Sequence, residues 1–140
     1  MSVILLAWQT RAVAQQTKIS NAIASASVIS NSTTGLREVL LLFIEHPELR
    51  PYFYGAKNPP LHGRNHERLV TVAEILADIL EEGLAANNLV RTARLSGEWP
   101  NYCCDLLSTS PVLNEVMRQN PSSWELLRAL QSKQSRPPTK

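Results

Sequence analysis

The sequence predicts an all-α protein, a helical bundle with one long N-terminal helix, a second long antiparallel helix and short C-terminal helices. Three observations carry that. Residues 3–34 hold neither proline nor glycine. Apolar or small residues there recur with helical, not alternating, spacing. The last third is cut by Pro100, Pro111 and Pro121 into segments of helical length, two of them with capping signals. No segment sustains strand alternation, and no internal repeat is evident.

The first element is read from Trp8, Ala12, Gln15, Ile19, Ala22, Ala26 and Ile29, a 4-3-4-3 spacing that defines one helical seam. Trp8, Ala12, Ile19, Ala22, Ala26 and Ile29 are its candidate association residues. The small residues Ala22 to Ser27 permit close approach of another helix. Ser30 to Gly35 is a weak helical stretch, either a break or a continuation that costs about 1 kcal/mol at Gly35. Leu36 to Glu45 is strongly helical. Leu36, Val39, Leu40, Phe43 and Ile44 share a face that Leu41 and Leu42 widen, so the segment is expected at the centre of the core.

His46-Pro47 ends that helix, because a residue before proline is driven from helical geometry. Pro47 opens a short turn through Phe53, and residues 55–63, with Gly55, Pro59, Pro60 and Gly63, read as loop. A long helix is expected from Asn65 to Val90. Its core face is Leu69, Val72, Ala73, Leu76, Ile79, Leu80 and Leu84, and Glu67, Glu74, Asp78, Glu81 and Glu82 are expected in solvent. Pro100 suits the first position of a short helix to Leu107. Ser110-Pro111 caps and opens the next, to Gln119. Ser122 with Glu125 forms a capping box for the last, to Ser132. Residues 1–132 are thus one helical domain, with 1–34 as a membrane-proximal helix or stalk and 133–140 as a disordered basic tail.

Charge and cysteine usage narrow the function classes. The chain has 140 residues and a net charge of +2, too little to indicate non-specific nucleic-acid binding. The last helix is mostly apolar and offers few residues to read bases, which ranks DNA binding a distant alternative. No acid precedes Glu38, and residues 1–37 carry only Arg11, Lys18 and Arg37. The apolar run Ser2 to Trp8 is far shorter than the ~20 residues a spanning helix needs. If the run ends a longer spanning helix, Arg11 and Lys18 just after it hold the following domain on the cytoplasmic face of the membrane; the expected location is cytoplasmic, with or without that association. Adjacent Cys103 and Cys104 cannot staple distant segments and fit a reducing compartment.

Candidate chemistry is sparse. No nucleophile–base context and no phosphate-binding glycine loop occurs, so no catalytic residue, cofactor or metal is assigned. His62 and His66 stand four apart, but Gly63 and the preceding Pro-Pro put His62 outside the helix, and no third ligand is apparent. The aromatic residues are more informative. Arg50, Tyr52, Tyr54, Trp99, Tyr102 and Asp105 are the candidate binding residues, either closing an aromatic core seam or lining a groove for a small molecule. Arg50 and Asp105 are the expected hydrogen-bond partners of that seam.

The run His46-Pro47-Glu48-Leu49-Arg50-Pro51-Tyr52-Phe53-Tyr54 resembles a PELRPYFY signature in a family of bacterial proteins of unknown function. The spaced residues Trp99, Tyr102, Asp105-Leu106-Leu107, Ser110-Pro111-Val112-Leu113 and Trp124 are similar to a second signature of that family, and the resemblance covers residues 9–127. It implies an all-α fold, often with an N-terminal transmembrane helix, and no activity, cofactor or catalytic residue. This chain departs from the pattern by beginning within or after the apolar segment and by carrying Glu125 after Trp124. The functional expectation is a non-enzymatic helical interaction module that self-associates, or binds a protein partner, through its first helix. A small-molecule binder or enzyme built on the aromatic and Arg50 seam is the alternative.

Overall fold

A computed structural model describes residues 3–89 and 97–135, without the side chains of Val3, Ile4, Leu5, Trp8, Ala22, Ser25 and Ile29. Among the described residues there are six α-helices and one 3-10 turn, and no strand. They are α1 Val3–Glu45, the turn Pro47–Leu49, α2 Pro51–Tyr54, α3 Arg64–Leu89, α4 Glu98–Thr109, α5 Pro111–Gln119 and α6 Glu125–Gln134. The fold is an all-α bundle, as its sequence predicts.

α1 runs unbroken through Ser30 to Gly35. The reason lies at Gly35. A Cβ there would lie 3.2 Å from the Ile79 side chain, so the absent side chain lets α1 close on α3, and that packing offsets the helix cost of glycine. The chain reverses through α2 and the 55–63 loop, and α3 returns antiparallel along α1.

α3 is the central strut, with α1, α4, α5 and α6 all packed on it. Its buried side is Leu69, Val72, Ala73, Leu76, Ala77, Leu80, Gly83, Leu84 and Ala86, nearly all apolar, as a helix covered on several sides requires. Phe43 of α1, Leu49 of the turn and Phe53 of α2 join Leu106, Leu113, Val116, Met117 and Leu127 of the C-terminal helices in the same core.

The C-terminal helices begin as local chemistry dictates in one case and not in another. Ser110 caps α5: its hydroxyl accepts from the Leu113 amide at 3.2 Å, and Pro111 follows at the first helical position. α4 begins at Glu98, two residues before Pro100, and continues to Thr109. α6 has no capping box. Trp124 is its N-cap, in left-handed geometry at φ 54°, and makes no side-chain cap bond. The cap comes instead from α3. The Glu81 carboxylate accepts from the Leu126 and Leu127 amides, both at 2.9 Å, while the Trp124 indole donates to Asp78 at 2.7 Å. These bonds hold a backbone geometry that costs a non-glycine residue ~1–2 kcal/mol. Two members of the acidic series expected in solvent therefore fasten α6 to α3. α6 also runs to Gln134, two residues beyond its expected end, and residues 136–140 of the expected tail lie outside the described residues.

α1 departs most from expectation. Val39 and Phe43 are buried and Leu36 and Leu42 partly so, but Leu40, Leu41 and Ile44 are exposed. The helix packs along α3 on one side only, so the opposite side of the segment expected at the centre of the core faces solvent. From Leu6 to Asn31 every side chain described is exposed, and this part of α1 projects from the bundle as an arm.

Candidate functional site

The aromatic residues do assemble. Phe43 lies tilted against Phe53 at 5.1 Å and meets Tyr54 edge-on at 6.0 Å. The Tyr54 and Tyr102 hydroxyls hydrogen-bond at 2.6 Å, and Trp99 lies 6.0 Å from the Tyr102 ring. Trp99 donates its indole N–H to the Leu80 carbonyl at 3.2 Å. Its ring fills a notch at Gly83, where any Cβ would overlap it. Burial, then the Tyr54 bond, pushes the Tyr102 phenol above its ordinary range.

The expected polar partners do not serve this seam by hydrogen bonds. The Arg50 guanidinium instead lies over the Tyr54 ring at 5.1 Å, and Lys57 sits over Tyr52 at 4.6 Å, both as cation–π contacts. The carboxylate of Asp105 is exposed, and only its main-chain carbonyl is engaged, by Ser108 and Thr109. The tyrosines partner each other, and the tryptophans use Leu80 and Asp78, because these acceptors already lie on α3 beneath them.

The cysteines are free, Cys103 buried and Cys104 half-buried. Burial, reinforced by Cys104 and Glu81, pushes the Cys103 thiol up to about 12; burial and Asp105 also raise Cys104. Neither offers a thiolate at neutral pH, and so neither is an activated nucleophile. Among the described residues no group of three or more histidine, cysteine, aspartate or glutamate side chains could hold a metal ion. His66 is committed elsewhere: its Nδ1 donates to the Pro60 carbonyl at 2.7 Å.

A cleft of about 880 Å³ opens away from the aromatic seam, and none of the six candidate binding residues lines it. One face of α5 forms a wall with Pro111, Asn114, Glu115 and Arg118; Arg128 and Gln131 of α6 form a second, and Asn58, Pro59 and Leu61 the third. The residues that shape it, Arg128 and Asn114 above all, carry no sequence signature. Their roles depend on three segments meeting. Gly83 did carry one, as a glycine inside a strongly helical run.

The third candidate surface is the outer side of α1. Ala12, Ile19, Ala26 and the further residue Ile23 are exposed. Trp8, Ala22 and Ile29, the other seam residues, lie outside the described side chains. At 100° per residue, positions 12, 19, 23, 26, 40, 41 and 44 fall on one side of the helix. Ser32, Gly35, Leu36, Val39 and Phe43, toward the bundle, fall on the other. Ile23 is 65% exposed and Ile44 74%. Exposed apolar residues therefore lie on one side of α1 in two patches, Ala12 to Ala26 on the arm and Leu40 to Ile44 at the bundle, with Ser30, Thr33 and Arg37 between them on that side. Among the described residues no helix is long and apolar enough to cross a membrane. No family model, curated protein or solved structure matches this chain.

Proposed function

We propose that the protein is a non-enzymatic helical interaction module and that the outer side of α1 is its working surface, with a second copy of the chain as its occupant. The observation that carries this is the exposure of Ala12, Ile19, Ile23, Ala26, Leu40, Leu41 and Ile44 on one side of α1, in a stripe interrupted by Ser30, Thr33 and Arg37. A lone helix rich in serine, threonine, glutamine and asparagine is marginal in water, so an arm of this length calls for a partner. The stripe supports a like partner in two ways. It is nearly free of charge, Arg37 being its one ionic residue, and Ala12, Ala26 and Ser30 permit close helix approach. Covering Ile19, Ile23, Leu41 and Ile44 in both copies gains on the order of 10 kcal/mol. Association costs ~4–15 kcal/mol. The expected product is a weak, concentration-dependent dimer.

The free cysteine pair supports a reducing, cytoplasmic setting. A membrane surface is the second occupant to test, because the first 37 residues carry only basic charges. The proposed kinship with the PELRPYFY family adds no chemistry to either reading.

Sedimentation velocity from about 10 μM to about 500 μM tests the dimer, a range chosen to bracket weak association. A mass that rises toward twice the monomer, and stays monomeric in the Ile23→Glu/Ile44→Glu variant, is the expected result. A strict monomer throughout overturns the reading. Flotation with vesicles containing anionic lipid, at a concentration where the chain is monomeric, would reassign the surface to a membrane if the protein floats.

A further inference from the structure

The cleft between α5, α6 and the 58–61 loop has no part in the α1 reading, and its chemistry is specific. Pro111, Asn114, Glu115 and Arg118 stand at i, i+3, i+4 and i+7, so they share one face of α5; Arg128 and Gln131, three apart, share one face of α6. The third wall is held in place. Pro60 is bound through its carbonyl by His66, the Lys57 amide donates to Pro51 at 3.1 Å, and the Ala56 amide donates to Thr109 at 2.9 Å. The cleft is built before any ligand arrives.

Its polar groups are unequally satisfied. Asn114 is fully committed: its amide nitrogen donates to Leu107 and Ser110, and its oxygen accepts from Gln131 at 2.7 Å. Arg128 is fixed by Nη2, which donates to the Met117 and Asn120 carbonyls at 2.6 Å, and by Nε and Nη2 bonds to the Ser123 carbonyl. Those acceptors are neutral, so this half-buried cation has no carboxylate partner, and its Nη1 has no acceptor among the described residues. Arg118 has neither an ion-pair nor a hydrogen-bond partner among them. Against these two cations stands one acid, Glu115, which accepts from Gln119 at 3.1 Å. The remaining lining is Asn58 and the apolar Pro59, Leu61 and Pro111, and Leu61 is 80% exposed at its edge. An exposed leucine on a stiff Pro-Pro loop beside unpaired guanidinium groups gives the cleft an apolar part and an anionic preference.

We propose that this cleft binds a small organic anion, a carboxylate or phosphate head on an apolar body. Arg118 and the free edge of Arg128 take the head, and Pro59, Leu61 and Pro111 cover the body. The volume is in the range that encloses a ligand of that kind, and guanidinium groups are suited to planar or tetrahedral oxyanions.

The test is a titration of the whole chain with sodium octanoate, followed by backbone amide chemical shifts. Octylamine, with the same tail and opposite charge, and inorganic phosphate, a head without a tail, serve as comparisons. The expected result is saturable octanoate binding that moves the amides of Asn58, Leu61 and Gln131. Binding should weaken about tenfold or more in Arg118→Gln, and octylamine should leave these amides unmoved. Leu61→Glu, at an exposed position, provides the second variant and should abolish octanoate binding. The proposal is overturned if octanoate moves none of these amides at about 10 mM, if octylamine binds equally well, or if both variants bind octanoate as the unaltered chain does. Phosphate binding as tight as octanoate binding would also overturn it, because the apolar walls would then contribute nothing.

Discussion

Gly83 decides how the aromatic seam is built. It lies inside α3, where replacing glycine by alanine ordinarily stabilises a helix by ~1 kcal/mol. Here the new methyl would overlap the Trp99 indole at Nε1, Cε2 and Cζ2. Nothing short of moving Trp99 makes room, and moving it breaks the bond to the Leu80 carbonyl. Overpacking of this kind costs ~1–3 kcal/mol, and the lost hydrogen bond ~1 kcal/mol more. The steric term therefore outweighs the propensity term. Gly83→Ala should lower stability by about 2 kcal/mol and shift the tryptophan emission to the red. In a Trp99→Leu background the same change should be neutral or stabilising, which a double-mutant cycle of urea melts will measure. Equal losses in both backgrounds would mean that Gly83 serves backbone geometry and not the indole.

Among the elements, α6 shows how a helix can lack a local start and still form. Its sequence offers Ser122 and Glu125 in the spacing of a capping box, yet the carboxylate of Glu81 occupies the Leu126 and Leu127 amides from outside. A charged acceptor at a helix N-terminus is stronger than a serine hydroxyl. It also joins the element to α3, which a local box cannot do. Glu81→Gln keeps one acceptor and loses the charge, so it should cost about 1 kcal/mol; Glu81→Ala, which empties the site, about 2 kcal/mol. Hydrogen exchange should accelerate first at residues 126–130. Glu82→Gln, one residue away and exposed, should change stability by less than about 0.5 kcal/mol. This comparison also marks what was legible in the sequence. Helix periods and proline positions located every element within a few residues, because those signals act locally. The Ser110 cap was legible for the same reason. The Glu81 cap was not, since it joins segments far apart in the chain, and a glycine within a helical run marked Gly83 without naming the ring that fills its notch; the Arg128 and Asn114 bonds span fewer residues but form only once the turns between α4, α5 and α6 are set. Apolar residues at Leu40, Leu41 and Ile44 announced a wish for cover without saying whether this chain supplies it, so they were assigned to a core that holds only their neighbours Val39 and Phe43.

For the molecule as a whole, the arm and the bundle carry separate tasks, and that separation can be tested. Residues 6–31 have no buried side chain among those described, whereas the core runs from Val39 through Leu127. Buried apolar area is the main source of stability, so an arm that buries none contributes little to the fold of a monomer. Its contribution enters through association, which stabilises the folded state only as concentration rises above the dissociation constant. Deleting residues 2–28 should therefore leave the thermal midpoint within about 3 °C at low micromolar concentration, equivalent to a loss below ~1 kcal/mol. At several hundred micromolar the full chain should melt higher than the shortened one, and the shortened chain should sediment as a monomer. The helical circular-dichroism signal should fall by more than the share of residues removed, because the arm is helical along its whole length while the remainder includes loops. A large drop in midpoint at low concentration would show instead that the arm supports the bundle within one chain. The stripe on α1 would then be a folding surface and not a docking surface.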